Sequence, residues 1–173
     1  MAVPTYTTPA DEDFFAAIGR LTISWAQLES GIDLTVLMLH HNLNGRQFER
    51  EIPWSLSRKL QYVRKCFNGL KQHGKAFQEL APIIERLTAE IEAASEFRHD
   101  LVHGFSLDHE EGASKVEMYR LLRGEIPYAR KKFTVTTLQI LEQAALASKL
   151  GGRALKLALG LQQLIKMAGE KQD

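Results

Sequence analysis

The chain has 173 residues, of which 45% are hydrophobic and 25% are charged. This composition is typical of one folded globular domain and excludes a wholly disordered chain. The formal net charge at pH 7 is only +1, which excludes a protein that binds nucleic acid through bulk positive charge. The single cysteine, Cys66, excludes a disulfide framework and a cysteine-rich zinc module. We expect it to lie in the core.

The charge is unevenly distributed along the chain. Residues 1–114 carry 11 basic and 16 acidic side chains, a net of −5, whereas residues 115–173 carry 11 basic and 5 acidic ones, a net of +6. Two interpretations stay open, namely attraction between parts of one fold and a basic groove for a polyanion.

The sequence predicts no membrane span, because it has no run of about 18 apolar residues. Its first residues have neither a basic start nor the apolar stretch of a signal peptide. We therefore expect a cytoplasmic protein with a flexible lead-in over residues 1–10, one helical domain over 11–168 and a tail over 169–173.

Hydrophobic periodicity predicts four long helices. The second opens at Pro53 and Ser55, and the third opens at Pro82 and ends at Gly104. The first helix carries apolar side chains at alternating steps of four and three: Phe14, Ile18, Leu21, Trp25, Leu28, Ile32, Thr35 and Leu39.

The last predicted helix begins near Thr136, where Gln139 completes a capping box. Residues 105–135 mix polar stretches with β-forming ones and predict a small β-hairpin or a two- to three-stranded insertion. The fold class is therefore all-α, a four-helix up-down bundle with a small β-hairpin insertion before the last long helix. The predicted core stripe of the last helix is Leu138, Leu141, Ala145, Ser148, Gly152, Leu155 and Leu159.

Arg98 interrupts the apolar stripe of the third predicted helix. A guanidinium cannot lose its charge, so an arginine at such a position either pairs with a carboxylate or faces an anion across an interface. The structural alternative pairs Arg98 with Glu29, which lies beside Trp25 on the first helix. Both alternatives stay open from the sequence.

The string RHDLVHG over residues 98–104 ends the third predicted helix. It resembles the R-x4–6-H motif of the HEPN (higher eukaryotes and prokaryotes nucleotide-binding) superfamily, in which a polar residue commonly follows the arginine. The segment ISWAQLE over 23–29 and the opening TVTTL over 134–138 also resemble bacterial members. The resemblance covers residues 11–168.

This resemblance implies a helical bundle of HEPN type, usually dimeric, with both motifs facing a shared cleft. Active members are metal-independent endoribonucleases, many of them toxins or phage-defence proteins, whereas other members are non-catalytic binding or scaffold domains. The expected partners are a second copy, RNA and an antitoxin or regulatory protein, without a cofactor. Phe105 stands where one subgroup has a modified tyrosine, so regulation through that tyrosine is not implied.

For this chain, the resemblance implies that Arg98 stabilises the charge on the scissile phosphate. It also implies that His103 is the general acid–base catalyst for attack by the ribose 2′-hydroxyl. His99, or alternatively Asp100, would orient the site. On an unbroken helix the side chains of Arg98 and His103 point about 140° apart. A compact pair therefore requires either unwinding before Gly104 or a second subunit.

A metal-binding helical bundle is the competing interpretation. Glu92, Glu96, His99 and His103 share one helix face, and residues 96–99 spell the E-x-x-H of di-iron bundles. The sequence has no second copy of that motif, and no third ligand for zinc is evident beside the two histidines. This interpretation is therefore the less favoured one.

Two further features have alternative interpretations. Arg130, Lys131 and Lys132 at the edge of the insertion predict either a solvated turn or an RNA contact. Trp54 immediately precedes a helix, where it would pack as a hydrophobic staple or contact a partner.

Overall fold

A computed structural model of the chain describes residues 9–104, 115–121 and 130–169, with side chains for all of these except 9–11, 73, 130, 168 and 169. The fold is mostly helical, with a small hairpin before the last helix, as the sequence predicts. Residues 1–8, 105–114, 122–129 and 170–173 lie outside the described residues, and these include Phe105, most of the predicted lead-in over 1–10 and most of the predicted tail over 169–173. The elements are α1 (Pro9–Asn42), α2 (Leu56–Leu70), α3 (Lys75–His103), β1 (Lys115–Leu121), β2 (Arg130–Thr136) and α4 (Thr137–Gly169).

Side-chain caps start two of these helices where the sequence predicts them. The Ser55 hydroxyl accepts a hydrogen bond from the backbone N–H of Arg58 at the start of α2. Before α4, the Thr136 hydroxyl accepts from the Gln139 N–H at 3.1 Å, and the Gln139 side-chain oxygen accepts from the Thr136 N–H at 2.9 Å. This reciprocal pair is a capping box, which confirms the prediction.

The third helix begins earlier than predicted. It starts at Lys75 and continues through Pro82, so the prediction that Pro82 opens it is wrong. Proline lacks a donor for the helix and is costly in its interior. Burial of Ala81, Ile84 and Leu87 around it offsets that cost.

The buried face of α4 is also not the predicted one. Leu138, Leu155 and Leu159 of the predicted stripe are 65%, 44% and 50% exposed. Apolar and small residues occur all around this helix, so periodicity does not select a face. The face that is buried consists of Ile140, Ala144, Ala147, Leu150, Ala154, Ala158 and Leu161.

The chain divides into two compact units, which we call the hairpin unit (residues 1–23 and 94–146) and the second unit (residues 24–93 and 147–173). In the hairpin unit, β1 and β2 pair antiparallel, from Lys115 opposite Thr136 to Leu121 opposite Arg130. The single domain over 11–168 stays a prediction. The core of the hairpin unit consists of Phe14, Ala17, Leu21, Leu101, Val116, Met118, Val135, Ile140 and Ala144.

Within the second unit, α1 and α4 approach closely and run in the same direction. A Cβ atom on Gly151 would lie 3.2 Å from the Leu28 Cα, and one on Gly31 would lie 3.0 Å from the Ala154 Cβ. An up-down bundle has antiparallel first and last helices, so this differs from the predicted up-down order. The connection from α1 to α2 packs Phe48 against the C-terminal part of α2, so it is not a short reversal.

Gly151→Leu should destabilise the fold by about 2 kcal/mol, because the new side chain would be forced against the backbone of α1 at Leu28. The neighbouring Gly152 has nothing within 4 Å of its Cβ position, so Gly152→Leu is the matched control. Chemical denaturation of both variants measures the difference. Equal losses of stability would contradict the close helix contact.

His40 is a buried histidine at the end of α1. It is 4% exposed, and its Nδ1 lies 3.1 Å from the Tyr62 hydroxyl. Burial, with the positive charges of His41 and Arg46, lowers the pKa of His40 from its ordinary value of 6.5. The folded protein therefore holds this imidazole neutral at pH 7.

The unfolded chain takes up a proton at His40 more readily than the folded protein, so stability should fall as the pH drops below about 6.5. His40→Gln should flatten the dependence of the free energy of unfolding on pH between pH 5 and 7. Urea denaturation across that range measures it. An unchanged slope in the variant would exclude His40 as its source.

Candidate functional site

The candidate motif occupies the last two turns of α3, which is helical through His103. The helix therefore does not unwind before Gly104, and Arg98 and His103 keep their separation of about 140° around the axis. A Cβ at Gly104 would lie 2.6 Å from the Asp100 carbonyl oxygen and 2.9 Å from the Met118 side chain. Only glycine fits where the end of α3 meets the hairpin.

His99 and His103 form an exposed pair one helical turn apart. Their ring centroids are 4.4 Å apart, with an angle of 59° between the ring planes. Partial desolvation, with the positive charges of His103, Arg120 and Arg98, lowers the pKa of His99, although Asp100 acts in the opposite direction. His99 is consequently neutral at pH 7 and available to accept a proton.

Arg98 is half-buried, between the buried Ala94 and Leu101 of the predicted stripe. Its predicted partner Glu29 lies on α1 in the second unit, where its carboxylate accepts a hydrogen bond from the Trp25 indole at 2.8 Å. Trp25 is 3% exposed, which agrees with its place in the predicted apolar stripe of the first helix. The pair between Arg98 and Glu29 stays a prediction.

Asp100 connects α3 to both strands of the hairpin. The side chain is 10% exposed, one of its oxygens accepts from the Arg120 guanidinium of β1, and the other accepts from the Lys131 ammonium of β2 at 2.6 Å. Lys131 also lies 3.3 Å from Glu96, and the hydrogen bond to Asp100 is the main cause that raises the pKa of Lys131. Asp100 therefore holds the end of α3 against the hairpin. Arg120 was not predicted, because nothing in the sequence links it to a residue 20 positions away.

The predicted basic triplet lies in strand β2 and not in a turn. Lys131 is bound by Asp100, and Lys132 lies 2.6 Å from the Glu117 carboxylate. The side chain of Arg130 lies outside the described residues. Both lysines are thus engaged by carboxylates of the chain, and the RNA contact stays a prediction.

The acidic residues considered for a metal serve in ion pairs. Glu92 lies 2.5 Å from Arg64, and Glu96 lies beside Lys131. Across the described ranges, no group of three or more histidine, cysteine or acidic side chains is placed to hold a metal ion. Cys66 is buried as predicted, and burial raises the pKa of its thiol to about 11.

No protein-family model matches the chain, and no curated protein or solved structure matches it at a significant level. The resemblance of residues 98–104 to the HEPN motif therefore stays a prediction. Over ranges 9–104, 115–121 and 130–169, none of the helices has a stretch apolar enough to cross a membrane.

Proposed function

We propose that the chain is a metal-independent endoribonuclease of HEPN type. The observation that carries this proposal is the exposed pair of imidazoles at the end of α3, with ring centroids 4.4 Å apart, directly after Arg98. Two adjacent imidazolium charges repel each other, so such a pair disfavours the doubly protonated state. In the proposed reaction one ring accepts a proton and the other donates one.

Apart from the RNA itself, the reaction needs only two imidazoles and a guanidinium group. A neutral imidazole takes the proton of the ribose 2′-hydroxyl, and that oxygen attacks the adjacent phosphorus. The bond from phosphorus to the 5′-oxygen breaks, and the leaving oxygen takes a proton from an imidazolium. The products are a 2′,3′-cyclic phosphate and a 5′-hydroxyl. Arg98 stabilises the charge that develops on the phosphoryl oxygens.

His99 suits the base, because its lowered pKa keeps it neutral at pH 7, which leaves the role of the acid to His103. The divergence of about 140° between Arg98 and His103 supports a homodimer in which the second copy completes the site. A cytoplasmic toxin or phage-defence protein restrained by an antitoxin is the setting that such an activity suggests.

The proposal is tested with single-stranded RNA of mixed sequence in EDTA, comparing wild type with Arg98→Ala. The matched control is Arg86→Ala, which removes an exposed arginine from the same helix. Wild type and the control should cleave, and Arg98→Ala should be at least about 100-fold slower. No cleavage by wild type, or equal cleavage by all three proteins, would refute the assignment.

The second candidate is a non-catalytic HEPN-like scaffold or RNA-binding protein. It is favoured by the ion pairs that engage Lys131 and Lys132, because paired lysines offer less positive charge to RNA. In that case Arg98→Ala should lower the melting temperature strongly, whereas His103→Ala should leave it unchanged. Thermal unfolding measures both melting temperatures. This pattern, together with no cleavage of RNA by wild type, would favour the non-catalytic function.

A further inference from the structure

Trp54 lies in the connection between α1 and α2 and is 89% exposed, whereas the other tryptophan, Trp25, is 3% exposed. A hydrophobic staple would be packed against the helix, so that prediction for Trp54 is wrong. Leaving an indole in water forfeits a large favourable burial term. The remaining predicted role is contact with a partner molecule.

A cavity of about 330 Å³ adjoins this indole. The residues that line it include Arg50, Ile52, Trp54 and Arg58. The volume is at the lower end of that of small-molecule sites. The lining residues thus include a tryptophan and two arginines, and an aromatic ring with guanidinium groups is the combination that proteins use for unpaired bases and their phosphates.

The start of α2 adds positive potential to the cavity. Arg58 lies in the first turn after the N-cap Ser55, and that turn contains no acidic residue. A helix N-terminus carries partial positive charge and unpaired N–H groups, so an arginine there is unfavourable unless an anion is present.

Glu49 and Glu51 also line the cavity, so the arginines do not act alone. Nevertheless, neither Arg50 nor Arg58 forms an ion pair with any residue in the described part of the chain. Their guanidinium groups therefore remain available to a ligand. The two glutamates alone would favour a cationic ligand. The positive charges of both arginines and of the helix N-terminus would repel such a ligand.

We propose that this cavity binds a nucleotide, with the base stacked on Trp54 and the phosphate held by Arg58, Arg50 and the start of α2. The site lies in the second unit, whereas Arg98 and His103 belong to the hairpin unit. The inference goes beyond the ribonuclease proposal and does not depend on it. The nucleotide comes either from solution or from single-stranded RNA.

Isothermal titration calorimetry of the full chain tests the site with three probes: 5′-AMP, inorganic phosphate, and a single-stranded 2′-O-methyl RNA octamer that cannot undergo 2′-hydroxyl attack. We expect saturable binding of 5′-AMP or of the octamer. Trp54→Ala and Arg58→Gln should each weaken it at least fivefold, whereas the exposed control Arg86→Gln should bind as wild type does. Because Trp54 is exposed, Trp54→Ala should keep the wild-type melting temperature.

Binding of 5′-AMP would identify a free nucleotide as the source, and binding of the octamer alone would identify RNA. The inference is overturned if neither probe binds, if phosphate binds as tightly as 5′-AMP, or if Trp54→Ala binds normally. Nucleotide binding without any cleavage by wild type would refute only the ribonuclease.

Discussion

His103→Ala should slow cleavage of single-stranded RNA by a factor of about 10² to 10⁴, the usual contribution of a general acid or base. The side chain is exposed at the end of α3, so the loss should occur without a measurable loss of stability. Initial rates in EDTA, together with melting curves of the same samples, measure both quantities.

His41→Ala is the matched control, because His41 is an exposed histidine at the end of another helix. It should cleave RNA at the wild-type rate. Added imidazole should partly restore cleavage by His103→Ala if the lost group transfers a proton, since a diffusing imidazole can take that place. A variant that cleaves normally, or one that is slow only because it is unfolded, would be evidence against a catalytic His103.

Asp100→Ala should lower the free energy of unfolding by about 2–3 kcal/mol. The substitution leaves the guanidinium of Arg120, whose side chain is 19% exposed, without its carboxylate, and removing one partner of a buried ion pair is costly. For a chain of this size that corresponds to a decrease of roughly 4–12 °C in melting temperature. Thermal and urea unfolding both measure it.

The exposed pair of Glu117 and Lys132 provides the comparison, since their side chains are 43% and 60% exposed. Glu117→Ala should leave the melting temperature close to wild type, because exposed ion pairs contribute little. A double-mutant cycle between Asp100 and Arg120 isolates their coupling from other effects of each change. Equal effects of Asp100→Ala and Glu117→Ala would show that Asp100 does not hold the hairpin to α3.

The elements that carry a local signal were predictable from the sequence. Thr136 and Gln139 form the predicted capping box, and the first apolar stripe, from Phe14 to Leu39, is buried except for the half-buried Ile18. The face of α4 was not predictable, because leucine, alanine and glycine occur on several sides of it. Close approach of α1 at Gly31 and Gly151 decides which side is buried, and that contact is not local in the sequence.

In the candidate site, too, the features that depend on nearby residues were predictable, and those that depend on distant residues were not. The spacing of His99 and His103 on one helix gives their proximity directly, and the structure places the two rings together. The role of Asp100 depends on Arg120 and Lys131, which lie 20 and 31 positions away. Antiparallel pairing of β1 and β2 brings Arg120 and Lys131 close together. No pattern in the sequence specifies that the hairpin packs against the end of α3, where Asp100 lies.

The most direct test of the ribonuclease proposal is the chemistry of the cut ends. A single-stranded RNA and the same strand with one 2′-deoxynucleotide at the cleaved position are incubated with wild type in EDTA. We expect the RNA to yield a 2′,3′-cyclic phosphate and a 5′-hydroxyl, and the deoxy-substituted bond to remain intact. Cleavage of the deoxy-substituted bond, or products with a 5′-phosphate, would contradict attack by the ribose 2′-hydroxyl and with it the proposed roles of Arg98, His99 and His103.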